Sequence, residues 1–133
     1  VQLAGAAAGA VLANLMFSKP VVGPSSNLRD GLNLYLGEAI ATFGLVLVIL
    51  LLIEQSKTNL IPAAVALWIV AGYFFTSSTS FANPAVTFGR AFSDAGSSIA
   101  WESVLGFVTV QMVGAVTAFY FSKIFTKQAR RGQ

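Results

Sequence analysis

From Leu34 to Ile53 the chain runs for 20 residues with a single charged side chain, Glu38. About 20 mostly apolar residues are what a helix needs to cross the hydrocarbon core of a bilayer. Three more apolar segments accompany it: Val1 to Phe17, rich in Ala and Gly; Leu60 to about Thr76; and Ser103 to about Ser122. Only 10% of the 133 residues are charged, and the mean hydropathy is +0.75. A soluble domain carries roughly 25% charged residues, so this chain cannot coat itself for water. The bilayer is its natural solvent, and the segments predict an all-α membrane protein.

The same composition removes whole classes of chemistry. There is no Cys and no His, which excludes thiol catalysis, disulfides, imidazole acid–base work and the common zinc sites. Glu102, beside Trp101, reads as a marker of the membrane interface. No second carboxylate is placed for paired acid–base catalysis. Neither an enzyme, a metal site nor a cofactor is expected. The net charge of +3 is not patterned for nucleic acid and reads instead as topology. Lys123, Lys127, Arg130 and Arg131 follow the last span, and Lys57 lies in the short turn Gln55 to Asn59. Positive residues gather on the cytoplasmic side, which predicts a cytoplasmic C-terminus. Lys19 and Arg29 fall on the opposite side and weaken the bias without reversing it.

The decisive stretch is Ser80-Phe81-Ala82-Asn83-Pro84-Ala85-Val86. It follows the hydroxyl run Thr76 to Ser80 at the end of one apolar helix and precedes a short helix-compatible segment. Asn is a favoured N-cap and Pro a favoured first helical residue, so Asn83 and Pro84 fit those positions in order. A helix from Pro84 to Phe92 would rise about 13 Å at ~1.5 Å per residue, near half of a ~30 Å hydrocarbon layer. Two readings follow: a helix lying on the membrane surface, or a re-entrant half-helix starting at the midplane. Irregular backbone at membrane depth is tolerated only where protein buries it or a watery cavity meets it. The flanking spans favour the second reading, with the Asn83 amide offered to a passing solute.

Further signals concern packing and duplication. Val1-Gln2-Leu3-Ala4-Gly5-Ala6 matches Val110-Gln111-Met112-Val113-Gly114-Ala115, either by chance among small apolar residues or as an internal repeat of the kind transporters and channels use. Gly5 and Gly9 make a small-residue face echoed by Gly114 and Ala118, a spacing that lets helices approach closely. The chain begins at Val1, within an apolar segment and without a leader, as expected of a piece of a longer protein.

With these residues in view, the pattern resembles the second half of an aquaporin-type major intrinsic protein. The resemblance implies an aquaporin-like helical bundle with a re-entrant half-helix, here a fragment holding spans three to six. Residues 1–17 would be the third span and 18–32 a connecting loop. Residues 33–125 would form the second repeat, with a half-helix over 84–93, and 126–133 a basic tail. The resemblance also implies a passive channel for water or small uncharged solutes such as glycerol-like polyols, a bacterial inner-membrane location, and a homotetramer when complete.

The resemblance assigns pore positions to Asn83, Pro84 and Ala85, and filter positions to Ala71, Ser80 and Val86. Most members carry Arg where this chain has Val86, so the constriction is expected to be wider and less cationic. Arg90 lies one turn on, on the same helix face, and could supply a charge toward the mouth or snorkel to headgroups. Glu38 is expected to accept hydrogen bonds from the pore-loop backbone. Similarity of Ser78-Thr79-Ser80-Phe81-Ala82-Asn83-Pro84-Ala85-Val86-Thr87 to members linked with arsenic resistance extends the solutes to neutral metalloids. Two rival classes stay open: one half of a secondary transporter with a midplane site, and a nonconducting membrane fragment.

Overall fold

The computed structural model describes residues 1–131, with the side chains of 126 and 128–131 outside the description. Part of the expected basic tail, 126–133, therefore lies outside the described residues. Helices α1 (Gln2–Met16), α2 (Leu32–Glu54), α3 (Ile61–Phe75), α4 (Pro84–Arg90) and α5 (Trp101–Arg131) follow in order, with a 3-10 turn, Thr58–Leu60, leading into α3. Among the described residues, three segments are long and apolar enough to cross a membrane: Leu32–Glu54, Thr58–Phe75 and Trp101–Phe125, of mean hydropathy 2.6, 1.6 and 1.8. Helix α1, also apolar, is shorter at 15 residues. Bulky side chains such as Leu67, Phe74 and Leu105 lie exposed on these helices. Apolar exteriors of this extent are association-prone in water and fit a protein solvated by lipid.

Helices α2 and α5 form the main pair. They pack at Gly114, where an added Cβ would come within 2.6 Å of the Ala39 carbonyl oxygen. Ala118, one turn on, is fully buried. Small residues let the two backbones approach, which substitutes in lipid for the missing hydrophobic drive. Helix α3 is keyed to α2 by Trp68, whose indole Nε1 donates to the Ala41 carbonyl at 2.9 Å. Helix α4 is keyed to α1 at Gly89, where a Cβ would stand 2.8 Å from the Ala6 carbonyl oxygen. Gly5 and Gly9 have open space around them, so of the two small-residue faces only the one on α5 is engaged among the described residues.

The loops meet at one end of the bundle. The Gly23 and Ser25 amides donate to the carbonyls of Phe92 and Ala91, and the Ala100 amide donates to Asn27. The α1–α2 loop thus crosses the end of α4. A small core of Phe81, Ala91, Ile99 and Phe107, joined by Leu34, Tyr35, Val86 and Val104, fills the space beneath.

Candidate functional site

Helix α3 ends at Phe75, and the next residues turn inward instead of crossing the end of the bundle. The entrance of this turn lies at the start of α2, where Ser77 Oγ donates to the Asn33 carbonyl at 2.7 Å. Its deeper part meets Glu38, one and a half turns further along α2. Glu38 Oε2 accepts from the Phe81 amide at 3.2 Å, and Oε1 accepts from the Ala82 amide. The carboxylate is fully buried. Buried donors must find acceptors, and an ionisable group inside a span is costly unless it is paired. Each of these two problems solves the other.

Gln111 completes the arrangement from α5. Its Nε2 donates to Glu38 Oε1 at 2.9 Å and to Thr87 Oγ1 at 2.7 Å. Thr87 in turn donates to the Asn83 carbonyl at 3.0 Å. The turn is clamped between α2 and α5, and α4 runs from it back to the loops it came from. The tip is held inside the bundle.

Asn83 caps α4. Its backbone is extended, and its Oδ1 accepts from the Ala85 amide at 2.8 Å. That leaves the Nδ2 donors with no described acceptor. Pro84 occupies the first helical position, where no amide is required. Upstream, Thr79, Ser80 and Ala82 all hold positive φ, at 62°, 50° and 50°. Left-handed backbone in non-glycine residues is costly and persists where surrounding structure fixes it. Here it turns successive carbonyls out of the pattern a helix would give them. No described donor reaches the carbonyls of Thr79, Ser80, Phe81 or Ala82. The Ser78 carbonyl is taken by Arg29 at 3.1 Å.

Arg29, noted in the sequence only for its charge, is a buried tie between segments. Its Nε donates to the Ser98 carbonyl at 2.6 Å, Nη1 to Ser78 at 3.1 Å and Nη2 to Gly96 at 3.1 Å. Burial lowers its pKa from the ordinary guanidinium value, and the field of Glu38 opposes that shift. Arg29 sits 5.0 Å from the centre of the Phe81 ring, and Arg90 sits 4.3 Å from the same ring.

The filter positions named from the sequence separate here. Val86 and Arg90 both line a cavity of about 590 Å³ between α1 and α4. Ser80 is buried against α3, where a Cβ on Gly72 would lie 2.6 Å from its Oγ. That hydroxyl has no partner among the described residues. Ala71, beside Gly72, is exposed. In the sequence Gln111 stands out only as part of a repeat, and nothing marks Thr87, nor Asn14, whose Nδ2 donates to the Phe92 carbonyl at 3.0 Å and ties α1 to the end of α4. An amide within an otherwise apolar span was the signal available for Gln111.

Apolar helices long enough to span a bilayer, packed around an inward turn with an Asn-Pro cap, define a multi-pass membrane protein with an all-helical bundle among the described residues. The chain is 43% identical over 129 residues to the aquaglyceroporin AqpS of Rhizobium meliloti (strain 1021), a match covering 97% of this chain and 55% of that relative. Along nearly its whole length the chain is therefore similar to a member of the aquaporin-type major intrinsic protein family, and it spans about half the length of the curated relative it matches. No protein-family model matches the sequence, and no solved structure matches it.

Proposed function

We propose that the protein acts as a passive channel for water and small uncharged solutes of the glycerol class, with neutral metalloids as a further solute group. One observation carries this reading. The carbonyls of Thr79, Ser80, Phe81 and Ala82 lack described donors, although Ser80, Phe81 and Ala82 are buried residues. Buried carbonyls require donors, and a file of water or polyol hydroxyls supplies them while replacing solvation lost on the way. The Asn83 Nδ2 donors, free because the cap uses Oδ1, meet the solute oxygens. The chemistry is hydrogen-bond exchange, with no covalent step.

In this reading Val86 replaces a filter arginine and leaves the passage wide. Ala71 lines the same passage, and Ser80 acts through its backbone carbonyl. The C-terminus is cytoplasmic, the membrane is the bacterial inner membrane, and the working form is a homotetramer. The name of the relative, an aquaglyceroporin, supports the solute class.

The test is stopped-flow swelling of proteoliposomes carrying the full-length protein, with water, glycerol and arsenous acid as solutes. Flux should rise linearly with the solute gradient. Saturable, gradient-coupled uptake would indicate a transporter, and flux no higher than in empty liposomes would end the channel reading.

A further inference from the structure

Charge divides unequally between the two ends of the bundle. Contacts along α2 and α5 advance in step. Tyr35 meets Phe107 at 6.0 Å between ring centres, Glu38 meets Gln111 at 2.9 Å, and Phe43 meets Phe121 at 5.7 Å. The two helices therefore run in the same direction, and Lys57 in the α2–α3 turn lies at the end where α5 finishes. That end carries Lys57, Lys123, Lys127, Arg130 and Arg131 against one acid, Glu54. The loop end carries Lys19, Arg29 and Arg90 against Asp30, Asp94 and Glu102. Its basic side chains are bonded within the protein: Lys19 to the Asp94 carbonyl, Arg29 to three carbonyls and Arg90 to that of Ser97.

The register of α5 places this charge relative to the bilayer. The helix has 31 residues, about 46 Å at ~1.5 Å per residue, against a hydrocarbon layer of ~30 Å. Counted from Trp101, that layer ends near Phe121, and all four cations of α5 come later. No Asp or Glu follows Glu102. Positions 123, 127, 130 and 131 are spaced i, i+4, i+7 and i+8, which sets them on one helix face. Lys123 and Lys127 are exposed, and Lys123 Nζ lies 4.3 Å from the Phe119 ring centre. Tyr120 is exposed about one turn earlier, a residue type that gathers at the membrane–water boundary. Topology needs only positive charge on one side of a membrane. Gathering it on one helix face offers several cations to a single headgroup.

We infer that this end of the bundle binds acidic phospholipids of the phosphatidylglycerol class, with the headgroup phosphate on the basic face of α5 and Lys57 adding charge from the α2–α3 turn. The occupant is a lipid because the stripe starts where the hydrocarbon layer ends. A headgroup reaches the cations while its acyl chains lie along exposed Phe121 and Phe125 of the same helix. Each Lys or Arg beside a span gains about fivefold in affinity from an acidic surface. The site lies at the opposite end of the bundle from the loops that meet α4, so it does not depend on conduction.

The experiment uses the full-length protein in phosphatidylcholine vesicles that carry a trace of spin-labelled phosphatidylglycerol or spin-labelled phosphatidylcholine. Electron paramagnetic resonance reads the fraction of each label that the protein immobilises. Phosphatidylglycerol should be preferred by about fivefold or more at low salt, and the preference should shrink at high salt. The double variant Lys123→Gln with Lys127→Gln, which keeps three cations at that end to direct insertion, should fall to about a twofold preference. Adding Arg130→Gln and Arg131→Gln should bring the two lipids near parity. Arg130→Lys with Arg131→Lys should keep the preference, and so should Lys19→Gln at the loop end. Equal association of both lipids with the wild-type protein overturns the assignment, as does an undiminished preference in the variant lacking all four cations of α5. Loss of the preference to inorganic phosphate, but not to chloride at equal ionic strength, also overturns it, because the site would then hold a soluble anion.

Discussion

Gln111 Nε2 lies 2.9 Å from Glu38 Oε1, with both side chains sealed from solvent. The amide holds one oxygen of the carboxylate in place while that carboxylate receives the Phe81 and Ala82 amides. Two spanning helices thereby fix the position of a turn that belongs to neither.

Glu38→Ala strands those two amides in a low-dielectric interior. Each unsatisfied donor costs about 1–3 kcal/mol. The variant should melt at a lower temperature in detergent, and amide exchange at Phe81 and Ala82 should accelerate. Unchanged exchange there would mean that the turn is held by other contacts.

Gln111→Leu removes the donor shared by Glu38 and Thr87. A destabilisation of about 1–3 kcal/mol is expected from the lost buried bonds, and Gln111→Glu should be worse because it sets a second carboxylate against Glu38. Chemical denaturation of the three proteins side by side checks the order. A Glu variant as stable as wild type would contradict it.

Gly89→Val drives a branched side chain into the Ala6 carbonyl of α1, since even a Cβ would stand 2.8 Å from it. Overpacking of this kind costs about 1–3 kcal/mol. Separation of α4 from α1 should appear as faster exchange across Pro84–Arg90, with the α2–α5 pair unaffected. Equal loss of protection in α2 would mean that the helices do not open independently.

Arg29→Lys keeps the charge but cannot reach the Ser78, Gly96 and Ser98 carbonyls together, because an ammonium is a point and a guanidinium a fork. Proteolysis and exchange of the 94–100 loop should increase by several-fold, with little change in α2. If the loop is as protected as before, the tie is not what orders it.

Val86→Arg places a cation beside Arg90 in the α1–α4 cavity. Under the proposed function it narrows the solute range, so glycerol and metalloid flux should fall while water flux persists. Equal glycerol flux in both proteins would show that Val86 does not sit at the constriction.

The spans were legible in the sequence because lipid leaves a chain little choice. A run such as Leu34 to Ile53 must close its own backbone hydrogen bonds, and a helix does that locally. The cap was legible for the same reason: Asn83 and Pro84 satisfy a helix start through neighbours two residues away. What the tertiary structure decided is everything that depends on contacts between distant segments. Gln111 meets Glu38 across 73 positions of sequence, and Arg29 meets Ser98 across 69; no local periodicity records either. The same holds for Ser80 and Val86. They stand six positions apart, yet one faces Gly72 and the other the α1–α4 cavity, because the left-handed backbone between Thr79 and Ala82 breaks the spacing rule by which a sequence assigns faces.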